Sequence, residues 1–196
     1  MFSKEVKLDL PQAEIIYYSN FFSTSEANRY FEALLQNTPW QQDNITLFGK
    51  THKQPRLTAL FANNEKTYSY SNITMRPHKF SPVLNEIKQK VEHTCNALFT
   101  TCLANLYRNG QDSNGWHADN EKELGKNPVI ASVSLGEERY FHLKHRQDKN
   151  LKKKLLLQNG SLLIMQGQTQ EHWLHQIAKT KKDINPRINL TFRVIQ

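Results

Sequence analysis

Trp116-His117-Ala118-Asp119 sets an imidazole and a carboxylate two residues apart. On an extended segment, side chains at that spacing point to the same side, so His117 and Asp119 can address one point. A second histidine from elsewhere would complete a triad of two histidines and one carboxylate. Such a triad leaves coordination positions open and suits non-haem Fe(II). Taken alone the pair is weak, because this composition yields about a quarter of a His-x-Asp match by accident. A surface histidine beside a surface aspartate is the plainer reading of those four residues.

The C-terminal segment changes the odds. Arg187-Ile188-Asn189-Leu190-Thr191-Phe192-Arg193-Val194 alternates strictly. A strand there carries Arg187, Asn189, Thr191 and Arg193 on one face and Ile188, Leu190, Phe192 and Val194 on the other. A solvated edge strand would account for a generic Arg-x-Asn pair. The full string is a rarer accident, on the order of one in five hundred. Its two arginine Cα atoms stand roughly 20 Å apart on a strand. Guanidinium arms reaching inward by roughly 6 Å each leave a gap that matches a short dicarboxylate.

These groups need a scaffold. The chain has 196 residues and no internal repeat, linker or low-complexity stretch, which suits one domain. A hydrophobic share of 38% with 10% aromatics excludes general disorder. No apolar run approaches the roughly 18 residues of a membrane helix. The start, MFSKEVKLDLPQAEIIYY, lacks an apolar secretory stretch. Only two cysteines occur, Cys95 and Cys102, which argues for a reducing compartment over a disulfide scaffold. The expected location is the cytoplasm, nucleoid or nucleus. With 26 Lys and Arg against 18 acids, the formal charge of +8 points to a polyanionic partner.

Two helices are legible. Ser23-x-x-Glu26 is a capping box ahead of the stripe Ala27, Tyr30, Phe31, Leu34 and Leu35. Ser81-Pro82 caps a second stripe of Leu84, Ile87, Val91 and Cys95. Strand-like runs lie around and after them at 56–61, 101–107, 130–135, 139–144, 155–157, 161–165 and 187–194, and Asn159-Gly160 marks a tight turn. Early helices and many late strands predict an α+β protein, mainly β, built on a sandwich or jelly roll.

The chain resembles the AlkB family of Fe(II)- and 2-oxoglutarate-dependent dioxygenases, in particular the branch that repairs alkylated nucleic acid. From about Leu47 to Gln196 the resemblance runs through FGK at Phe48–Lys50, PR at Pro55-Arg56 and YSYS at Tyr68–Ser71. It continues with NLYRNGQD at Asn105–Asp112, HADNE at His117–Glu121 and IASVSLG at Ile130–Gly136. GSLLIM at Gly160–Met165, HWLH at His172–His175 and PRINLTFR at Pro186–Arg193 complete it. The resemblance implies a double-stranded β-helix with supporting N-terminal helices. It divides the single domain into a helical part (1–46), a nucleotide-recognition lid (47–80) and a β-helix core (97–196).

The resemblance also implies roles. His117, Asp119 and His175 would hold Fe(II), with His172 the competing second histidine. Placement twelve residues before Arg187 favours His175. Asn105 and Tyr107 match the family's pair that contacts 2-oxoglutarate. Arg187 would take the distal carboxylate of 2-oxoglutarate and Arg193 the end near iron, with Asn189 and Thr191 supporting. The implied reaction is demethylation of a base nitrogen, which yields formaldehyde, succinate and CO₂. A methylated base in a duplex must be flipped out or met on a single strand.

Substrate contacts follow by position. Tyr68, Tyr70 and Ser71 match the family's lid, with Tyr70 placed to stack the flipped base opposite His117. Glu121, or Asn120 beside it, would accept a hydrogen bond from the exocyclic amine of 1-methyladenine or 3-methylcytosine. Many relatives carry Asp where Asn120 stands. Phe48, at a turn tip, is a candidate wedge for the gap left by the base, and the alternative is a core Phe. Arg56 would line the lid or meet phosphate. The runs 144–146 with 152–154, and 179–182, read as basic loops for phosphate contact. Trp116 and Trp173 read as core packing. The expected enzyme is a monomer acting on single- or double-stranded DNA. RNA or a tRNA base is the first alternative, and a non-catalytic nucleic-acid-binding module the second.

Overall fold

Both helices begin where the sequence places their caps. The computed structural model describes residues 5–47, 50–64, 68–70 and 73–195, with the backbone alone for 46–47, 68–70 and 73–74. Helix α1 (Thr24–Asn37) opens at Ser23, whose Oγ accepts from the Glu26 N–H at 3.3 Å while Glu26 Oε2 accepts from the Ser23 N–H at 3.0 Å. Helix α2 (Pro82–Cys95) opens at Ser81, whose Oγ accepts from the Leu84 N–H at 3.2 Å. It stops at Asn96 in the left-handed conformation. Ala27, Tyr30 and Leu34 of α1 and Leu84, Ile87 and Val91 of α2 are buried in one common cluster.

The strands in chain order are β1 (Glu5–Lys7), β2 (Glu14–Tyr18), β3 (Asn44–Leu47), β4 (Lys50–Lys53), β5 (Leu57–Ala62), β6 (Tyr68–Tyr70), β7 (Ile73–Met75) and β8 (Thr101–Tyr107). Then come β9 (Asn114–His117), β10 (Ile130–Gly136), β11 (Arg139–His145), β12 (Lys152–Leu157), β13 (Ser161–Gln166), β14 (Trp173–Ile177) and β15 (Arg187–Arg193). A single turn of helix, α3 (Thr169–His172), precedes β14. The seven-stranded sheet has the order β1-β2-β13-β10-β15-β8-β5, and a four-stranded sheet has the order β12-β11-β14-β9.

The pairing of the last eight strands is nested: β8 with β15, β9 with β14, β10 with β13, and β11 with β12, all antiparallel. The chain is thus one long hairpin with its tip at β11–β12, coiled so that its strands divide between two facing sheets. This is the double-stranded β-helix, and the fold is α+β and mainly β. The helices cover the outer face of the larger sheet, against Ala131, Val133, Leu135, Ile188, Leu190 and Phe192. The inner faces meet around Leu163, Met165, Phe141, Leu143, Trp173 and Ile177.

Several expectations change. Residues 1–46 are not only helical, because β2 pairs with β13 in the larger sheet. Leu57–Ala62, inside the expected lid, pairs with β8 and belongs to that sheet as well. Lys152–Lys154 lies on strand β12 opposite β11, so the first basic loop is a hairpin arm. The Asn159-Gly160 turn joins strands of different sheets. Gly160 has φ +77°, and a Cβ there would lie 2.8 Å from the Phe22 carbonyl oxygen. Trp173 is fully buried as expected, but Trp116 is 39% exposed, with the Lys144 ammonium 4.3 Å over its ring. Phe48 and Ser71 lie outside the described residues, as do the side chains of Tyr68 and Tyr70. Among the described residues no helix is long and apolar enough to cross a membrane.

Candidate metal and cosubstrate site

The β9–β14 pairing sets His117 directly opposite His175. Asp119 follows two residues after the strand. The ligand atoms of His117, Asp119 and His175 lie within 4.8 Å of one another, close enough to converge on one ion. His172 is outside this cluster and stacks on His145 instead, with ring centroids 5.9 Å apart. The alternation of β14 accounts for the choice. Trp173, His175 and Ile177 face inward, and His172 precedes the strand.

Hydrogen bonds prepare His117 and Asp119. His117 Nδ1 lies 2.7 Å from the Gly115 carbonyl, which can only accept. The ring proton therefore sits on Nδ1, and Nε2 is left as a lone-pair donor. Asp119 Oδ1 accepts from Arg193 Nη2 at 2.6 Å, while Oδ2 stands 3.8 Å from His175 Nε2. Burial opposes ionisation of Asp119, yet Arg193, His175 and His117 around it hold the carboxyl down at about 2. Burial, helped by His117, pushes the His175 imidazole down to about 3, and burial lowers His117 as well. All three groups are therefore in the deprotonated form that a metal requires.

The larger sheet supplies the rest of the cavity. Its strand β15 pairs with β8 and β10, which puts Arg187 beside Tyr107 and Asn189 between Asn105 and Ser134. Arg187 is 1% exposed and donates through Nη2 to Ser134 Oγ at 2.9 Å, with its guanidinium 5.2 Å over the Tyr107 ring. Its Nε and Nη1 have no hydrogen-bond partner, and no described carboxylate pairs with it. Burial pushes this guanidinium down to about 10, with the Tyr107 phenol opposing the shift. A buried cation without an anion is costly. The donor set and this orphaned guanidinium line one common cavity and fit a divalent metal and a carboxylate ligand.

The other expected residues fall into three groups. Asn189 Nδ2 donates to Ser132 Oγ at 2.8 Å, and Thr191 Oγ1 bonds Asn189 Oδ1 at 3.1 Å. Both are engaged in holding the β15 face. Glu121 is half-buried, with Oε2 unpartnered and its carboxyl raised by burial, whereas Asn120 is exposed. Arg56 is 4% exposed and donates to Asn105 Oδ1 at 2.8 Å and to the Ser113 carbonyl at 3.3 Å.

Three groups escaped the sequence reading. Ser132 and Ser134 alternate on β10 and face β15, a pattern that the IASVSLG string does contain. Gln170 gave no signal. It is 2% exposed on α3, and its Oε1 accepts from the Asp119 N–H at 2.9 Å.

A jelly roll with two histidines and a carboxylate at one end of its cavity and a buried arginine on the facing sheet defines a class. The family model described as the 2OG-Fe(II) oxygenase superfamily matches residues 14–193, and the chain belongs to that superfamily, which uses Fe(II) and 2-oxoglutarate. The relatives narrow it to the AlkB family. Human "Alpha-ketoglutarate-dependent dioxygenase alkB homolog 3" is 38% identical over 192 residues, covering 93% of this chain and 66% of that protein. "DNA oxidative demethylase ALKBH2" of Bos taurus is 35% identical over 188 residues, covering 91% of this chain and 68% of that one. The chain spans 64% to 66% of the length of the alkB homolog 3 relatives. The solved structure of OsALKBH1 matches with a TM-score of 0.66 over 97% of this chain and 100% of that one. At 16% identity it speaks to the fold alone.

Proposed function

We propose that this chain oxidatively demethylates N-alkylated bases, 1-methyladenine and 3-methylcytosine, in DNA, with release of formaldehyde, succinate and CO₂. The observation that carries the reading is a preorganised His117–Asp119–His175 cluster in the same cavity as a buried, anion-seeking Arg187. Fe(II) and 2-oxoglutarate, when bound, supply the oxygen activation that methyl hydroxylation needs.

The protein's own part is positioning. His117, Asp119 and His175 would hold the metal. Arg193 holds Asp119 in place through its hydrogen bond to Oδ1. Arg187 takes the distal carboxylate of the diacid, oriented by Ser134 and Tyr107. Asn105, held by Arg56, completes that wall, and Asn189 and Thr191 brace it. Glu121 Oε2, buried and unpartnered, accepts from the exocyclic amine of the target base. Tyr68, Tyr70 and Ser71 form the lid over it, Tyr70 stacks on the base, and Phe48 fills the gap in the stack. The single domain works as a monomer on single- or double-stranded nucleic acid in the cytoplasm, nucleoid or nucleus.

The deciding experiment supplies Fe(II), 2-oxoglutarate and matched methylated oligonucleotides as single-stranded DNA, duplex DNA and RNA. Formaldehyde release is measured with and without a chelator. Release from DNA that a chelator and His117→Ala both abolish supports the reading. Release from RNA alone moves the substrate to RNA. Succinate formed without formaldehyde from any of the three sinks the repair function.

A further inference from the structure

A second feature lies at the metal end of the larger sheet. Strand β5 is the edge of that sheet, and residues 76–79 run along it. The His78 N–H donates to the Leu60 carbonyl at 2.8 Å, and the Ala62 N–H donates to the His78 carbonyl at 3.0 Å. On the other side the turn at Asn63 is tied to the core by its N–H, which donates to the Thr100 carbonyl at 3.0 Å. Between them is an open cleft lined by Asn63, Asn64, Arg76, His78 and Lys79. Backbone bonds at Asn63 and His78 thus tie one point on each side of the cleft to the larger sheet.

Charge says what it suits. No carboxylate of a described residue lines it, and neither Arg76 nor Lys79 is in an ion pair with a described residue. The helical face is different. There Arg29 pairs with Glu86, Lys88 with Glu92 and Lys90 with Glu26. Two cations with no ion pair among the described residues, on one lip of a wide cleft, are poorly built to desolvate one small anion. They are well placed for successive phosphates of a polymer, which position a strand without reading its sequence.

Location links the cleft to the site. Ala62 pairs with Thr101, and Thr101 pairs with Arg193, which holds Asp119. At about 4.8 Å per strand spacing the cleft edge is roughly 10 Å of backbone from Arg193. A nucleic-acid strand covers that in a few nucleotides, at about 3.4 Å of axis each. Arg76 also directly follows β7, the last strand of the small β6–β7 hairpin.

We infer that the cleft between the Asn63–Asn64 turn and residues 76–79 holds the phosphodiester backbone flanking the target base, with Arg76 and Lys79 on neighbouring phosphates. The inference rests on the nucleic-acid reading proposed above and adds a docking site to it. The test is binding of an unmodified single-stranded oligonucleotide by fluorescence anisotropy across a salt series, which needs no turnover. Arg76→Ala with Lys79→Ala should weaken binding by about tenfold and lower the salt slope by about 1.4, since each single-strand phosphate contact contributes about 0.7. Arg76→Lys with Lys79→Arg should keep the slope. Replacing linkages one at a time by neutral methylphosphonates should weaken the parent at one or two positions that are silent in the double-alanine variant. Equal slopes and equal linkage profiles in parent and variant overturn the cleft and leave the demethylase reading standing. A parent that binds no nucleic acid even at low salt overturns both.

Discussion

Strand β15 has two buried faces that work by opposite rules. Toward the helices, Ile188, Leu190 and Phe192 are fully buried among apolar neighbours. Toward the cavity, Arg187, Asn189, Thr191 and Arg193 are almost as deeply buried, at 1% to 8% exposure. The first face gains by leaving water. The second loses by it and recovers through hydrogen bonds to Ser132, Ser134 and Asp119. Arg187 stands apart, because two of its nitrogens are bonded to nothing. Equal burial therefore conceals a division of labour, in which one face stabilises and the other spends stability on a ligand. The division is open to test.

The largest contrast should come from Arg187→Ala. Loss of a buried charge-assisted contact to a carboxylate should weaken 2-oxoglutarate binding by 100-fold or more, on the order of 3 kcal/mol. Calorimetry on the anaerobic metal-loaded protein would measure it. Thermal stability should hold or rise, because an unpaired buried cation has gone. A Tm loss as large as that of a core truncation would make the inner face structural as well.

Leu190→Ala is the complement. Deleting a fully buried leucine should cost about 2–5 kcal/mol in urea unfolding. Cosubstrate affinity at low temperature should stay as in the parent. A matching fall in affinity would mean that the two faces are coupled through the strand.

Gln170→Leu probes the support beneath the metal site. It strands the buried Asp119 N–H, which should lower metal affinity roughly tenfold, as outer-shell changes do. Metal titration of the apoprotein reads this directly, and an unchanged affinity would reduce Gln170 to packing.

The smallest effect belongs to the helical side. Glu26 accepts from Lys90 and Ser23, which lower its carboxyl from an ordinary 4.5 to about 2. The folded value is the lower one, so its contribution is complete above the ordinary value and is lost as pH falls towards 2. Glu26→Gln should flatten acid unfolding between about pH 4.5 and 2 and leave the cavity untouched. Circular dichroism across that window would show it.

How much of this could be read beforehand depends on how local each signal is. The caps at Ser23 and Ser81 and the alternation of β15 are patterns within a few residues, and all three appear in the structure as read. The β9 and β14 strands were missed because both are short and carry His, Asn and Gln among their apolar residues. Lys152–Lys154 was misplaced because a lysine run has no β signature, and here β11 supplies one through pairing. Arg56 was read outward on charge, whereas its acceptors, Asn105 and Ser113, come from distant parts of the chain.

The sequence by itself determined the chemistry available: a His-x-Asp pair, an Arg-x-Asn-x-Thr-x-Arg face and the helices that cover its other side. Side-chain period and capping act through neighbours in the chain, so they survive translation into structure. Only the tertiary structure decided which arginine is hydrogen-bonded to the Asp119 carboxylate and which keeps two guanidinium nitrogens without a partner. Those outcomes follow from the nested pairing of β9 with β14 and of β8 with β15. That pairing closes loops of many tens of residues and is stabilised only once both sheets have packed.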